Sequence, residues 1–221
     1  MIQVTNEKKK MARYESKINK ARKALREAIR EWNRNYSYYI DTAPKLDNFH
    51  LKKCQLLPDR YELIRYMPKN SIVCEVGTNK GEFAQKILEI TSPKELHIID
   101  ISFEKFEWQD FQKKDINKVS KTYEVDSAKG LSDFPPKYFD WIYIDADHYY
   151  EGVMRDIAVA KEKVKDKGHL IFNDYTTWSS AGVSRCGVAK AVNQFCKEEN
   201  WEFVYFALHN NMYCDVAIKK M

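Results

Sequence analysis

Four residues in the second half of the chain have types and spacing that suit joint chemistry: Asp145, Asp147, Asn173 and Asp174. They follow two apolar runs, Phe139 to Ile144 and His169 to Phe172, which read as neighbouring buried strands. Two carboxylates and an amide oxygen converging past strand ends make a hard, oxygen-only site. Such a set suits Mg2+, which keeps water positions open and can lower the pKa of a bound hydroxyl. His148, beside Asp147, is a second candidate for moving a proton, because its ordinary pKa lies near neutrality.

A second stretch with chemical content is Ile72-Val73-Cys74-Glu75-Val76-Gly77-Thr78-Asn79-Lys80-Gly81-Glu82-Phe83. An apolar strand passes through two glycines into a helical pattern with Phe83, Ala84, Ile87 and Leu88 on one face. Strand, glycine turn and helix form the first unit of a nucleotide-binding sheet, with the free N–H groups of the helix start facing the ligand. The dinucleotide fingerprint is absent, because Asn79 stands where its second glycine belongs. Glu75 would repel a pyrophosphate and suits a ligand with an ammonium group. Acid-x-Gly-x-x-x-Gly resembles the first motif of the class I methyltransferases, which bind S-adenosylmethionine (SAM). That resemblance assigns Glu75, Gly77, Thr78 and Gly81 to the cofactor.

The elements that must hold these residues follow from periodicity. Residues 1–35 form a basic amphipathic helix, with Met11, Tyr14, Ile18, Ala21, Leu25, Ala28 and Trp32 as a seam at steps of three and four. Residues 36–70 are an aromatic connector or cap, with a short helix expected over Asp59–Tyr66. Residues 71–221 alternate strand and helix. Strands are expected at Glu95–Asp100, Lys121–Val125, Phe139–Asp145 and His169–Phe172, and a helix somewhere within 102–120. The helix after His148 carries Tyr150, Val153, Ile157, Ala160 and Val164 and is expected to stop at Gly168 as a C′ glycine. Residues 176–186 read as a small-residue loop, and Gly187–Glu199 as a helix. Two last strands, Phe203–Leu208 and Met212–Ile218, flank a turn at Asn210-Asn211. This is an α/β, Rossmann-like doubly wound sheet, mostly parallel with an antiparallel C-terminal strand, plus an N-terminal helical extension.

The class I resemblance covers about 150 residues, from Ser71 to the end, and implies roles for further acids. Asp100, at the end of the second strand, would bond the ribose hydroxyls. Asp126-Ser127, after the third, would meet the adenine, whose amine a carboxylate accepts. Asp145 would support the cofactor loop. A narrower resemblance rests on Ile144-Asp145-Ala146-Asp147-His148-Tyr149-Tyr150-Glu151-Gly152, Phe172-Asn173-Asp174-Tyr175 and Gly187-Val188-Ala189-Lys190-Ala191-Val192. These are similar to the macrocin-type sugar O-methyltransferases. That family implies Asp145, Asn173 and Asp174 as Mg2+ ligands and Asp147 as the base, with His148 the competing base. Asn173 departs from the family, which has an acid there; catechol-type O-methyltransferases have an Asp-Asn pair.

The expected activity is therefore SAM-dependent methyl transfer to a hydroxyl of a small sugar-containing or catechol-like molecule, assisted by Mg2+. Two alternatives are an RNA methyltransferase using the basic arm and a non-catalytic SAM-binding scaffold. Eleven lysines and arginines against four acids give residues 1–35 a charge of +7, which leaves −2 for the rest of a chain of net charge +5. A mildly acidic body does not suit nucleic acid. No Asn/Asp-Pro-Pro-aromatic motif ends the fourth strand, and no Pro-Cys occurs, which argues against amino and pyrimidine-carbon methylation. The five scattered cysteines contain no C-x-x-C pair, no apolar run spans a membrane, and no secretory signal opens the chain. A cytoplasmic homo-oligomer, associated through the N-terminal seam, is expected.

Overall fold

The computed structural model describes residues 2–36, 42–108 and 119–221. It divides into two compact units, Met1–Ile40 and Asp41–Met221. The described residues of the first hold the helix α1 (Ile2–Asn35), in which Met11, Tyr14 and Ile18 are exposed. No helix among the described residues is long and apolar enough to cross a membrane.

The second unit holds an eight-stranded sheet. In chain order its elements are α2 (Asn48–Leu51), β1 (Gln55–Leu57), α3 (Arg60–Arg65), β2 (Ile72–Val76), α4 (Glu82–Thr91), β3 (Glu95–Asp100) and β4 (Ser120–Glu124). Then come α5 (Ser127–Ser132), β5 (Phe139–Ile144), α6 (Tyr150–Lys163), β6 (Val164–Phe172), the small hairpin β7 (Trp178–Ser179) and β8 (Ser184–Arg185), α7 (Val188–Glu199), β9 (Trp201–Ala207) and β10 (Asp215–Lys220). The strand order is β1-β9-β10-β6-β5-β2-β3-β4. Only β10 runs against its neighbours, β6 and β9; the remaining pairs are parallel.

Alternation along the strands divides the core into two layers. Val73, Ile98, Trp141, Tyr143, Ile171 and Ala217 face α3 and α4, where Leu63, Ile64, Phe83 and Ile87 cover them. Cys74, Val76, Ile142, Ile144, Phe172 and Val216 face α6 and α7, where Val153, Ile157, Val192 and Phe195 cover them. A sheet covered on both faces needs strands that are apolar throughout, as these are. The chain winds from β2 outward through β3 to β4, then returns to β5 on the other side of β2. The crevice of such a sheet lies where the winding reverses, at the C-terminal ends of β2 and β5.

Several expectations change. The helix after His148 ends at Lys163, and Val164 already begins β6 in extended backbone. Gly168 is therefore a strand residue and not a C′ glycine. It is small because a Cβ there would lie 2.5 Å from the Asp140 carbonyl oxygen, next to the register shift between β5 and β6. The 176–186 loop contains the β7–β8 hairpin. The connector joins the sheet, since β1 pairs parallel with β9. Asn210-Asn211 does occupy the turn between the last two strands, with Met212 N–H donating to His209 O at 2.9 Å, but the strands stop farther from it, at Ala207 and Asp215. The helix expected within 102–120 falls mostly on 109–118, outside the described residues.

Candidate active site

A cleft of ≈ 820 Å³ opens at this reversal point. Its floor is the turn from β2 into α4. Gly77 has φ +84°, and a Cβ there would sit 2.1 Å from the Asp145 carbonyl oxygen. Gly77 N–H donates to Ile99 O at 2.8 Å, and Asp145 N–H to Val76 O at 2.7 Å, so the turn is threaded between β3 and β5. Asn79 takes the left-handed backbone (φ +51°) where a dinucleotide turn has glycine, which asparagine tolerates. Gly81 (φ +83°) caps α4.

The acids around this floor have different occupations. Glu75 is 1% exposed, and its Oε2 has no hydrogen-bond partner among the described residues. Burial raises its pKa to about 8, against the pull of the Thr78 side chain. Asp100 Oδ2 accepts from the N–H groups of Thr78 (2.7 Å) and Asn79 (3.1 Å), so this acid shapes the turn itself. Asp126 caps α5 by accepting from Lys129 N–H at 3.2 Å, and pairs with Arg155 at 3.7 Å. The Ser127 hydroxyl donates to Asp156 at 2.5 Å. Burial pushes that Asp156 carboxyl up to about 6.

At the β5 and β6 ends the arrangement departs from the expected metal set. Nε2 of His148 lies 3.4 Å from Asp145 Oδ1 and 3.3 Å from Asp174 Oδ2. At these distances Nε2 makes no hydrogen bond among the described residues, and the contacts are ion pairs; the neighbouring carboxylates of Asp145 and Asp174 raise its pKa to about 10, which favours the imidazolium at neutral pH. Burial raises the Asp145 pKa, and His148 opposes that shift. Asp174 holds its place in left-handed backbone, φ +55°.

Asn173 is turned inward. Its Nδ2 donates to Tyr143 Oη and to Asp215 Oδ1, both at 3.2 Å, and Tyr143 donates to Asp215 Oδ2 at 2.6 Å. Burial lifts Asp215 to about 7. Asp147 faces the start of α6: its Oδ1 accepts from Tyr149 N–H at 2.8 Å, and its Oδ2 fills the space a side chain at Gly152 would need. Among the described residues no group of three or more His, Cys, Asp or Glu side chains is arranged to hold a metal ion. His148 faces both carboxylates, in the place an ion shared by Asp145 and Asp174 would take, and the Asn173 amide nitrogen is bonded inward, so these side chains as they stand do not form the expected Mg2+ site.

Two residues of the site escaped the sequence reading. Arg60, the first residue of α3, lines the cleft with its guanidinium 4.6 Å from the Phe83 ring centroid. Asp156 was read only as part of a helix. The one available signal for Arg60 was its place after the capping residue Asp59.

Residues 74–175 match the family model described as a methyltransferase domain. Over these 102 of its 221 residues the chain carries a methyltransferase domain. SAM is the cofactor that accompanies the domain. Solved structures of low identity share the fold. A ribosomal protein L11 methylase from Lactobacillus delbrueckii subsp. bulgaricus is 21% identical, with 73% of this chain and 77% of that one covered at a TM-score of 0.52. A SAM-dependent methyltransferase from Aquifex aeolicus is 14% identical, with coverage of 78% and 93% and a TM-score of 0.55. A Staphylococcus aureus protein provisionally assigned as a caffeoyl-CoA O-methyltransferase is 18% identical, with coverage of 89% and 91% and a TM-score of 0.56. No curated protein matches the chain. The matched segment runs from within β2 to just past β6, and so contains every acid that lines the cleft.

Proposed function

We propose that the methyltransferase transfers a methyl group from SAM to a hydroxyl of a small molecule, sugar-containing or catechol-like. The observation that carries this reading is His148 seated between Asp145 and Asp174 at the edge of the cofactor cleft. SAM supplies an electrophilic methyl on a sulfonium. Glu75 offers the buried, unpartnered oxygen that a ligand's ammonium group would satisfy. Asp100 stands at the ribose position, and Asp126 and Ser127 at the adenine.

The acceptor's proton is handled by Asp145, His148 and Asp174 as a unit. With the imidazole protonated, the three side chains share one net negative charge. A carboxylate oxygen of the group takes the proton of the acceptor hydroxyl while the imidazolium steadies the developing alkoxide. The cationic role expected of Mg2+ falls to His148, and no step requires an ion. Asp147 anchors the start of α6 in this account and is not the base. The S. aureus structure, with its O-methyltransferase assignment, supports hydroxyl methylation, as does the lack of an Asn/Asp-Pro-Pro-aromatic motif after β5.

The test is transfer from methyl-labelled SAM to a panel of phenols, sugars and glycosides, with an RNA pool as a competing acceptor. A methyl ether on a panel member is the expected product. Label found only on RNA, or on no acceptor despite measured SAM binding, overturns the reading.

A further inference from the structure

We propose that α1 pairs in antiparallel orientation with α1 of a second copy of this chain. The inference is independent of the reaction and rests on the pattern of one 34-residue helix.

Its seam places Met11, Ile18 and Leu25 at one set of heptad positions and Tyr14, Ala21 and Ala28 at the other. Met11, Tyr14, Ile18, Ala21 and Ala28 are exposed on the helix, and Leu25 is half-buried. The flanking positions decide what meets this seam, because their charges set partner and orientation in helical pairs. On one flank lie Lys10, Lys17, Ala24 and Glu31; on the other lie Lys8, Glu15, Arg22 and Ile29.

In an antiparallel pair each flank meets its own counterpart in reverse. The register that sets Met11 against the partner's Ala28 and Ile18 against the partner's Ala21 also sets Leu25 against the partner's Tyr14. Large side chains then mostly face small ones. The same register brings Lys10 to the partner's Glu31 and Glu15 to the partner's Arg22, and the two-fold axis repeats both pairs. Lys17 meets the partner's Ala24, and Lys8 the partner's Ile29. No like charges face one another. A parallel pair in register also joins Lys10 to the partner's Glu15, but it sets Lys17 against the partner's Arg22, twice. The remaining cations, Lys9, Arg13, Lys20, Lys23, Arg26, Arg30 and Arg34, fall on the outward face, where water and salt screen them. The antiparallel second copy is thus the occupant that the helix's own charges select.

Sedimentation of the full chain at low salt tests this. The unaltered protein is expected to dimerise. Glu31→Lys, which turns two attractive contacts repulsive, should raise the dimer dissociation constant about tenfold. Lys10→Glu combined with Glu31→Lys should restore it to within about threefold, since the pairs re-form with signs exchanged. Neither change touches the cleft, so SAM binding provides a check on folding. A monomeric full chain overturns the proposal, including one that associates only when RNA is added. So does a dimer that ignores Glu31→Lys, or a double variant that stays weak. A parallel pair would respond to Lys10→Glu and not to Glu31→Lys.

Discussion

The two halves of the cleft are built by different means. The half proposed for the cofactor, at the ends of β2, β3 and β4, is mainly backbone: a turn at Gly77, left-handed Asn79 and Gly81, and an acid that holds the turn by its N–H groups. The half proposed for the acceptor, at the ends of β5 and β6, is side chain: two carboxylates, one imidazole and a buried tyrosine–aspartate–asparagine group. Backbone geometry is set by residue type and spacing, so it can be read from a sequence. Side-chain roles depend on which of several nearby groups a rotamer reaches.

The sharpest break of the cofactor half is Gly77→Val. Its Cβ would overlap the Asp145 carbonyl, and a β-branched residue resists positive φ. SAM binding by calorimetry should be lost, and thermal unfolding should show destabilisation of about 2 kcal/mol or more. Normal SAM affinity in that variant would show that the turn does not form the cofactor floor.

In the acceptor half the largest effect is expected from His148→Ala. It leaves Asp145 and Asp174 facing each other without a cation, and should slow turnover roughly 10²–10⁴-fold, with SAM affinity changed little. Asp147→Ala should cost only about 1 kcal/mol of stability through its contact at the start of α6, and less activity than His148→Ala. The reverse order of the two defects would restore Asp147 as the base.

These residues show what the sequence made legible. The five central strands, the reversal point and the cofactor turn follow from apolar runs and glycine spacing. Their boundaries held to a few residues, apart from the early start of β6. Val164 could end a helix or begin a strand on pattern alone, and pairing with Phe139 decided it. Asn173 and Asp147 lie beside the cleft, but their polar atoms also serve the fold: the Asn173 amide nitrogen bonds inward to Tyr143 and Asp215, which are far apart in the chain, and Asp147, though it lines the cleft, accepts from Tyr149 N–H and packs against Gly152. Arg60 came from the connector, where nothing local marks a cleft residue.

Titration separates the halves more finely. Glu75 has its pKa raised to about 8 by burial, so the stability it gives is full below the ordinary carboxylate range and is lost as pH rises through about 8. A ligand's ammonium would favour the ionised carboxylate, so SAM binding should release up to one proton between about pH 5 and 8. Calorimetry in buffers of different ionisation enthalpy reads this directly, and Glu75→Gln should remove it. Proton release that persists in that variant would reassign the linkage. The smallest effect is expected from chelation: on the acceptor that the screen finds, excess EDTA should change the rate by less than about twofold. Loss of activity restored by Mg2+ would return the ion to the acceptor half.

The central claim is that a histidine cation organises the acceptor edge. An NMR titration of the full chain, with the His148 ring signals assigned by comparison with His148→Ala, tests it without any substrate. The account predicts an imidazolium that persists through neutrality and loses its proton near pH 10. A ring that titrates near its ordinary value of about 6.5 would contradict it.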